Sequence, residues 1–421
     1  MEEALKSTIA KLEDQMTQTL SDMIKIPAIS PASGGGGEGK RADFLQGILS
    51  AWGMECKRYE YTDEHGMKRP NLVVRYGKGP RTIWIVPHMD TVSEGDRKLW
   101  DSDPFGGKIK DGRVYGRGSS DDGQDVIAAM YALKAVKDSR IATRFSFGLA
   151  IVADEEIGSN YGIQMLLKEQ NLFKEGDLVL VPDFCVADGT AIEVAEKSLL
   201  WLRITTIGVQ IHASTPEKGI NAAYHSSVFA SQLCDSFSRE FSGVDELFEP
   251  QSSTFALTKR EQNVESINII PGSDVSYIDC RILPKYDLDK VLDFGRKRAR
   301  AYCKGFPGLR IDVEGFLKED AGPPTRFDSE ISAIVGRSVF SVLGKKARFI
   351  GIGGSTCAAY FRKAGFDSVV WSRNDSSIAH TPNEYCDIEN MKTDFKVFSS
   401  LFEVSGVDAP KSPFRRVKEK I

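Results

Sequence analysis

A buried strand that ends in ligand-type side chains constrains this chain more than any other feature. The run from Thr82 to Val86 is apolar and rich in β-branched and aromatic residues, which is typical of a buried strand. Pro87 follows this run, and then His88 and Asp90, whose spacing places both side chains on one face. Because α/β proteins bind ligands at the carboxyl ends of parallel strands, this junction predicts a functional site.

Similar residues recur along the chain, mostly where an apolar segment ends. The chain has only 5 histidines, so two of them in such places are informative. Carboxylate oxygens and imidazole nitrogens together suit zinc, cobalt or manganese. The further candidate ligands are Asp121 at the end of Gly116-Arg117-Gly118-Ser119-Ser120-Asp121, the pair Glu155-Glu156, Asp183 and His380.

Composition excludes several function classes. With 55 basic and 59 acidic side chains the chain has a net charge of -4, and it lacks the basic stripe typical of nucleic-acid binding. It shows no apolar run of membrane-span length and no secretory signal at its start. The 7 cysteines are scattered without a Cys-x-x-Cys pair. These features predict a cytoplasmic protein with reduced thiols.

Helical and strand patterns alternate in the first part of the chain and again in the last part. This alternation predicts an α/β fold in which a mixed sheet lies between helices. We expect helices over 4–25, 40–52 and from Asp121 to about Lys137, and strands near 71–76, 82–87, 145–152 and 178–182.

The pattern changes after about Lys197. The order becomes strand, helix, strand, strand, helix, strand, which is that of a split βαβ unit. We expect these elements at 199–208, 221–238, 265–270, 274–283, 288–303 and 309–315. The sequence therefore predicts a metal-binding domain, 1–197 and 318–421, that is interrupted by an inserted α+β domain, 198–317.

The candidate ligands are sufficient for two metal ions. Two ions about 3.5–4 Å apart can activate water between them and polarise a scissile carbonyl group. Such a site needs one carboxylate shared by both ions and further ligands for each. Asp121 can bridge, His88 and Asp183 can complete one site, and Glu156 and His380 can complete the other.

Two further carboxylates suit supporting roles. Glu155 is adjacent to a candidate ligand but faces a different direction, so it can take a proton from water and pass it to the leaving nitrogen. Asp90 can orient His88 by a hydrogen bond to its imidazole ring.

Six segments, in order along the chain, resemble the motifs of one enzyme family. The segments are Pro87-His88-Met89-Asp90-Thr91-Val92, Tyr115-Gly116-Arg117-Gly118-Ser119-Ser120-Asp121, Asp154-Glu155-Glu156-Ile157-Gly158-Ser159, Gly208-Val209-Gln210-Ile211-His212, Asn268-Ile269-Ile270-Pro271-Gly272 and Ala379-His380-Thr381-Pro382-Asn383-Glu384. The family is that of the co-catalytic zinc amidohydrolases, which include acetylornithine deacetylase, succinyl-diaminopimelate desuccinylase, aminoacylase and the carnosinase-type dipeptidases. The resemblance covers nearly the whole chain and implies the ligand and base roles given above.

The resemblance also implies residues outside the metal-binding domain. His212 resembles the histidine that reaches the partner subunit's site and stabilises the oxyanion, which implies a homodimer and an inserted domain that acts as lid and dimerisation domain. Asn268 and Arg281 resemble residues that hold the substrate carboxylate, and Gly354 and Ser355 resemble a loop that lines the substrate. The implied reaction is hydrolysis of an amide bond in a small carboxylate-bearing substrate, either a dipeptide or an N-acyl amino acid. Two divalent ions are implied, with zinc expected and cobalt or manganese as alternatives.

Two positions depart from the family pattern. After Asp121 the family usually has x-Lys-Gly, whereas this chain has Asp122-Gly123-Gln124, so Asp122 competes with Asp121 as a ligand. The segment around Asp183 is poor in motif residues, and Asp188 is a rival. Aspartate at this position is frequent in the dipeptidases and aminopeptidases, so Asp183 favours a peptidase-like substrate.

Two other functions are alternatives at this point. A non-catalytic binding protein could use the same scaffold, but a pure binder needs no general base, so Glu155 argues against it. A mononuclear metallohydrolase is the second alternative, and the metal content per chain distinguishes it.

Overall fold

The computed structural model describes residues 2–183 and 186–403 of the chain, so Cys185 lies outside the described residues. The helices are α1 (Glu3–Ile24), α2 (Gly39–Ala51), α3 (Gln124–Ser139), α4 (Ile163–Leu166), α5 (Ala222–Glu240), α6 (Leu288–Cys303), α7 (Glu330–Leu343), α8 (Cys357–Lys363) and α9 (Ile388–Ser400). The strands are β1 (Cys56–Thr62), β2 (Lys68–Tyr76), β3 (Thr82–Ile85), β4 (Lys108–Lys110), β5 (Arg113–Tyr115), β6 (Ser146–Ile151), β7 (Leu178–Val181), β8 (Ala191–Glu196), β9 (Ser198–Ile207), β10 (Ile211–His212), β11 (Phe248–Glu249), β12 (Thr254–Arg260), β13 (Ile269–Ile270), β14 (Ser273–Ile282), β15 (Arg310–Glu319), β16 (Arg348–Ile352), β17 (Ser368–Val370) and β18 (Tyr385–Asp387).

The chain forms two units. The inserted unit comprises Ala195–Gly322 and Ile350–Ser355, and the major unit comprises the chain up to Val194, Pro323–Phe349 and the chain from Thr356. The predicted boundaries at 198 and 317, and the predicted role of lid and dimerisation domain, stay predictions.

A mixed sheet is the centre of the major unit. Its strand order begins β1-β2-β6-β3-β7-β17, and β17 pairs antiparallel with β8 on its other side. Strand β3 pairs parallel with β6 and β7, whereas β2 pairs antiparallel with β1 and β6. Trp84, Val152 and Val179 pack on one face against α4 and α8, because these strands are apolar on both sides and need cover on each. The predicted α/β fold class with a mixed sheet is confirmed.

A smaller ribbon connects two distant parts of the major unit. Strands β4, β5 and β18 form a three-stranded antiparallel sheet, with Tyr385 opposite Tyr115. The backbone N–H of Gly116 continues this ladder by donating to the carbonyl of Glu384, at 2.9 Å. The ribbon therefore brings the segment that precedes β18 next to the segment that follows β5.

The inserted unit contains a four-stranded antiparallel sheet of order β12-β14-β9-β15. Helices α5 and α6 pack on one face of it, where Leu202 and Ile278 of the sheet meet Phe229, Leu233 and Val291 of the helices. Alternation along each strand places the intervening residues on the opposite face. The predicted split βαβ arrangement is confirmed.

The strand predicted at 265–270 is wrong. Only Ile269–Ile270 is extended there, and it pairs with Ile211–His212 outside the four-stranded sheet. The second strand of the unit is instead Thr254–Arg260, which pairs with β14 only and so is an edge strand. Edge strands are exposed and carry polar residues, so β12 lacks a clear apolar pattern, whereas the apolar Ile267 is fully exposed.

Two further observations concern the helices and the cysteines. Within residues 2–183 and 186–403, no helix combines the length and hydrophobicity that crossing a membrane requires. The six cysteines in this part of the chain are all free thiols.

Candidate metal centre

Three neighbouring strands of the major sheet end at the candidate site. His88 follows β3, Glu155 and Glu156 follow β6, and Asp183 follows β7. Strand β3 lies between β6 and β7, and the three run parallel. Their carboxyl ends therefore meet at one edge of the sheet, which explains how residues almost 100 positions apart along the chain come together.

Asp90 contacts both the turn after β6 and the imidazole ring of His88. Its carboxylate accepts the backbone N–H groups of Glu155, at 3.0 Å, and Glu156, at 3.1 Å. The Nδ1 atom of His88 lies 3.4 Å from Asp90 Oδ1 and 3.2 Å from the Asp90 carbonyl oxygen. Asp90 thus fixes the turn that carries the two glutamates, and it lies at the ring nitrogen of His88 that faces away from the ligand groups.

A buried arginine supports the same turn. Arg69 on β2 pairs with Glu38 and, at 2.7 Å, with Asp154, and all three side chains are at most 1% exposed. Asp154 has a φ of 67°, a left-handed conformation that turns the chain directly before Glu155. Arg69 and Glu38 were not predicted as site residues, because no local sequence pattern indicates that two charged residues 31 positions apart are paired.

Glu384, which is distant along the chain, holds the backbone at Asp121. The backbone N–H groups of Ser120 and Asp121 donate to Glu384 Oε1, at 3.0 and 3.1 Å, and Arg117 pairs with the same carboxylate. Glu384 is fully buried. Arg117 and Glu384 were not predicted as site residues, although each lies in one of the six family-like segments, Tyr115–Asp121 and Ala379–Glu384. That position was the only signal in the sequence that could have pointed to them.

The side chains form two ligand groups within the described residues. In the first, ligand atoms of His88, Glu155 and Asp183 lie within 4.8 Å of one another, and His88 Nε2 is 3.8 Å from Asp183 Oδ1. In the second, the same holds for Asp121, Glu156 and His380.

Asp121 faces both groups. Its Oδ1 lies 3.0 Å from Nε2 of His88, and its Oδ2 lies 3.0 Å from Nε2 of His380. His380 Nε2 is also 3.0 Å from Glu156 Oε2. Each imidazole therefore approaches a different oxygen of one carboxylate.

These spacings suit metal coordination. Ligand bonds of about 2.0–2.2 Å in tetrahedral geometry place neighbouring ligand atoms roughly 3.3–3.6 Å apart, close to the observed separations. The two groups together contain four carboxylates and two imidazoles. Burial and the charges of neighbouring carboxylates outweigh the effect of His88 and raise the pKa of Asp183 to about 8. So much buried negative charge fits divalent cations, and the nitrogen and oxygen donors fit zinc, cobalt or manganese.

The pKa of His380 also reflects the negative charge of the neighbouring carboxylates. Its hydrogen bonds to Asp121 and Glu156 raise its pKa to about 10, so without metal the imidazole carries a proton between two carboxylates. A metal ion must displace that proton to bind, which couples metal binding to proton release. The His380 side chain is 51% exposed, in contrast to His88 at 2%.

The two rivals from the sequence analysis are placed differently. Asp122 lies in neither ligand group, and its Oδ2 accepts the backbone N–H of His88 at 2.9 Å. Asp188 is exposed and accepts hydrogen bonds from the N–H and the hydroxyl of Thr190, at 3.0 and 2.6 Å. The geometry thus favours Asp121 and Asp183 as the ligands.

The remaining predicted residues lie in the inserted unit. His212 is exposed, with Nδ1 2.7 Å from the hydroxyl of Ser214, and Asn268 Oδ1 accepts the hydroxyl of Ser266. Arg281 lies on β14. Gly354 and Ser355 belong to the short segment Ile350–Ser355 of the same unit. The roles of these five residues, His212, Asn268, Arg281, Gly354 and Ser355, stay predictions.

Comparison with known proteins decides the family. The model of peptidase family M20/M25/M40 matches residues 84–404, which is more than half of the chain. The chain belongs to this family. The predicted resemblance is therefore confirmed, and with it the class of a metal-dependent hydrolase of the peptidase and desuccinylase type.

The M20 relatives include proteins of known and unknown activity. An uncharacterised metallohydrolase of Methanococcus maripaludis is 36% identical over 399 residues, which cover 90% of this chain and 96% of the relative. Succinyl-diaminopimelate desuccinylase 2 of a Ruegeria species is 28% identical, over 82% of this chain and 83% of the relative.

Solved structures share the M20 fold. Human carnosine dipeptidase 1 superposes with a TM-score of 0.76 at 17% identity, covering 95% of this chain and 98% of that chain. The M20 metallo-carboxypeptidase of Sulfolobus solfataricus gives a TM-score of 0.74 at 20% identity, with 96% and 99% covered.

Proposed function

We propose that this protein hydrolyses the amide bond of a small substrate with a free carboxylate, either a dipeptide or an N-acyl amino acid, at a site for two divalent metal ions. The observation that carries the proposal is the placement of Asp121, whose two oxygens each lie 3.0 Å from a different imidazole. A carboxylate that presents one oxygen to each of two ligand groups has the arrangement of a bridging ligand. Relatives named as desuccinylase and dipeptidase support both substrate types.

Asp121 would be the shared ligand in this proposal. His88 and Asp183 would hold the first ion, and Glu156 and His380 would hold the second. When bound, the ions, for which zinc is the expected identity, would polarise the scissile carbonyl group and lower the pKa of water.

Glu155 is the general base. Burial and then the charge of Asp183 raise the pKa of Glu155 well above the usual carboxyl range when no metal is bound. Two cations beside it would lower that pKa and leave the carboxylate able to accept and return a proton. Glu155 takes the proton of the attacking water and delivers it to the leaving nitrogen as the carbon–nitrogen bond breaks. Asp90 orients Glu155 through its backbone N–H and keeps the imidazole of His88 in place.

The inserted unit supplies the substrate side. His212 donates a hydrogen bond to the developing oxyanion in the site of the partner subunit, so the active form is a homodimer. Asn268 and Arg281 bind the substrate carboxylate, and Gly354 and Ser355 line the substrate. We place the reaction in the cytoplasm, with no nucleic acid and no membrane as partner.

A panel of substrates tests the proposal. Purified protein, reconstituted with zinc, cobalt or manganese, is assayed on dipeptides and on N-acetyl and N-succinyl amino acids, each beside its carboxamide analogue. We expect hydrolysis of at least one free-carboxylate substrate, loss of activity after chelation and recovery on metal addition. Binding without turnover across the panel would favour the non-catalytic alternative, and full activity in metal-free protein would contradict the metal site.

A further inference from the structure

Arg281 lies on the open face of the four-stranded sheet in the inserted unit. Along β14, Ile278, Cys280 and Ile282 are fully buried on the side of the helices. Asp279 and Arg281 alternate with them and so lie on the other face, where their side chains are 22% and 31% exposed. An arginine in this position is accessible to a ligand.

Asp279 fixes the guanidinium group of Arg281. The Nε atom donates to Asp279 Oδ1 at 2.8 Å, and Nη2 donates to Asp279 Oδ2 at 3.1 Å, a two-point pairing that sets the plane of the group. Nη1 donates to the carbonyl oxygen of Gly353 at 3.1 Å.

Trp201 in turn fixes Asp279. It stands directly opposite Asp279 in the register of β9 and β14, and its indole Nε1 donates to Asp279 Oδ2 at 2.8 Å. The carboxylate is therefore held from both sides, by the arginine and by the indole, and this leaves it little freedom to move.

The pairing leaves donors for a ligand. A guanidinium group has five N–H donors, and the three hydrogen bonds named above use three of them. Among the described residues, one N–H on each terminal nitrogen has no partner, which is the number that a carboxylate with two oxygens can accept. Asp279 thus occupies one side of Arg281 without blocking it.

We propose that Asp279 is a positioning residue that orients Arg281, with Trp201 orienting Asp279, so that the two remaining N–H groups are arranged for the substrate carboxylate before the substrate binds. The inference rests on the proposed function, which assigns the carboxylate to Arg281. A flexible arginine must lose rotamer freedom when it binds, and fixing it in advance removes that cost from binding. We therefore expect removal of the Asp279 carboxylate to raise KM and to leave kcat nearly unchanged.

Kinetics on a matched substrate pair test the proposal. The metal-loaded dimer is assayed on its best free-carboxylate substrate and on the carboxamide analogue. Asp279→Ala should raise KM for the carboxylate by about 10-fold, the effect of losing roughly one hydrogen bond to a charged group, with kcat within about two-fold. KM for the carboxamide should stay unchanged. Trp201→Phe, which keeps the ring and removes the N–H, should change KM in the same direction by a smaller factor.

The outcomes separate this inference from the proposed function. If the wild-type protein does not prefer the carboxylate over the carboxamide, the assignment of Arg281 fails, and the inference with it. If the wild-type protein has the preference and Asp279→Ala keeps or lowers KM for the carboxylate, the proposed function stands and the positioning role is overturned. A lowered KM would mean that Asp279 competes with the substrate. Asp279→Asn, which preserves size, replaces the alanine variant if that variant does not fold, and a thermal melt identifies this case.

Discussion

The metal groups of the major unit and the substrate-side residues of the inserted unit differ in what holds them. In the major unit, His88 is 2% exposed, and the supporting carboxylates Asp90 and Glu384 are fully buried and hydrogen-bonded to the backbone of the site. In the inserted unit, His212 is exposed and its ring contacts only the nearby Ser214 among the hydrogen bonds of the described chain. Burial and backbone hydrogen bonds fix His88 and the support of Asp121 in advance. In the proposed function, the exposed His212 acts only once a substrate and a second subunit are present.

From this difference we expect substitutions in the two units to have different effects. Substitutions among the proposed ligands should remove metal and activity together, because each would supply a coordinating atom. Substitutions in the inserted unit should change kinetic constants and leave the metal content unchanged.

Asp121→Ala should have the largest effect. It removes the carboxylate that faces both imidazoles, so we expect activity below detection and loss of both ions, measured by elemental analysis. Because the metal binds the folded state, the variant should also melt at a lower temperature; saturation at about 1,000 times Kd stabilises a fold by roughly 4 kcal/mol. His380→Ala is the matched comparison and should lose one ion. Two ions per chain in both variants would contradict the ligand assignment.

Glu155→Gln should separate chemistry from metal binding. The amide keeps the size of the side chain but cannot accept the proton, so kcat should fall by about 10²–10⁴ with both ions retained. Glu156→Gln serves as the control, and it should lose metal because Glu156 contacts His380. Near-normal turnover of Glu155→Gln would mean that the base is another residue.

His212→Ala should lower kcat by about 10²–10³, the usual effect of losing one oxyanion donor, and should bind metal normally. If the donor acts in the partner's site, mixing this variant with Glu155→Gln and allowing the subunits to exchange should restore activity, since one site of each heterodimer is then intact. An active monomer, or no recovery in heterodimers verified by mass, would exclude a shared site.

The smallest effect is expected at Asp188. Asp188→Asn changes an exposed side chain that hydrogen-bonds only Thr190 in the described structure, so stability should change by less than about 0.5 kcal/mol and activity should not change. Asp183→Asn, by contrast, should weaken metal binding. A loss of activity in the Asp188 variant alone would reverse the choice between the two residues.

Much of the major unit was predictable because the candidate site residues there directly follow short apolar strands in the sequence. The apolar runs of β3, β6 and β7 lead directly into His88, Glu155 and Asp183, so local pattern and the rule for parallel sheets were enough to bring these residues together. The bridging role of Asp121 was predicted from the chemistry of a two-metal site and stays a prediction, which the position of its two oxygens beside different imidazoles supports.

The parts that were not predictable depend on long-range pairing. The contacts of Glu384 with Asp121 arise from the pairing of β18 with β5, and Arg69 reaches Asp154 from a neighbouring strand. Neither pairing has a local signature. Strand β12 escaped prediction for a related reason, since an exposed edge strand does not need the apolar alternation that identifies a buried one.

Anomalous diffraction from crystals grown with zinc tests the central claim most directly. Data collected at and below the zinc absorption edge locate the ions without reference to activity. We expect two anomalous difference peaks about 3.5–4 Å apart, with Asp121 between them. One peak should lie beside His88 and Asp183, and the other beside Glu156 and His380. A single peak, or two peaks that do not share Asp121, would contradict the central claim.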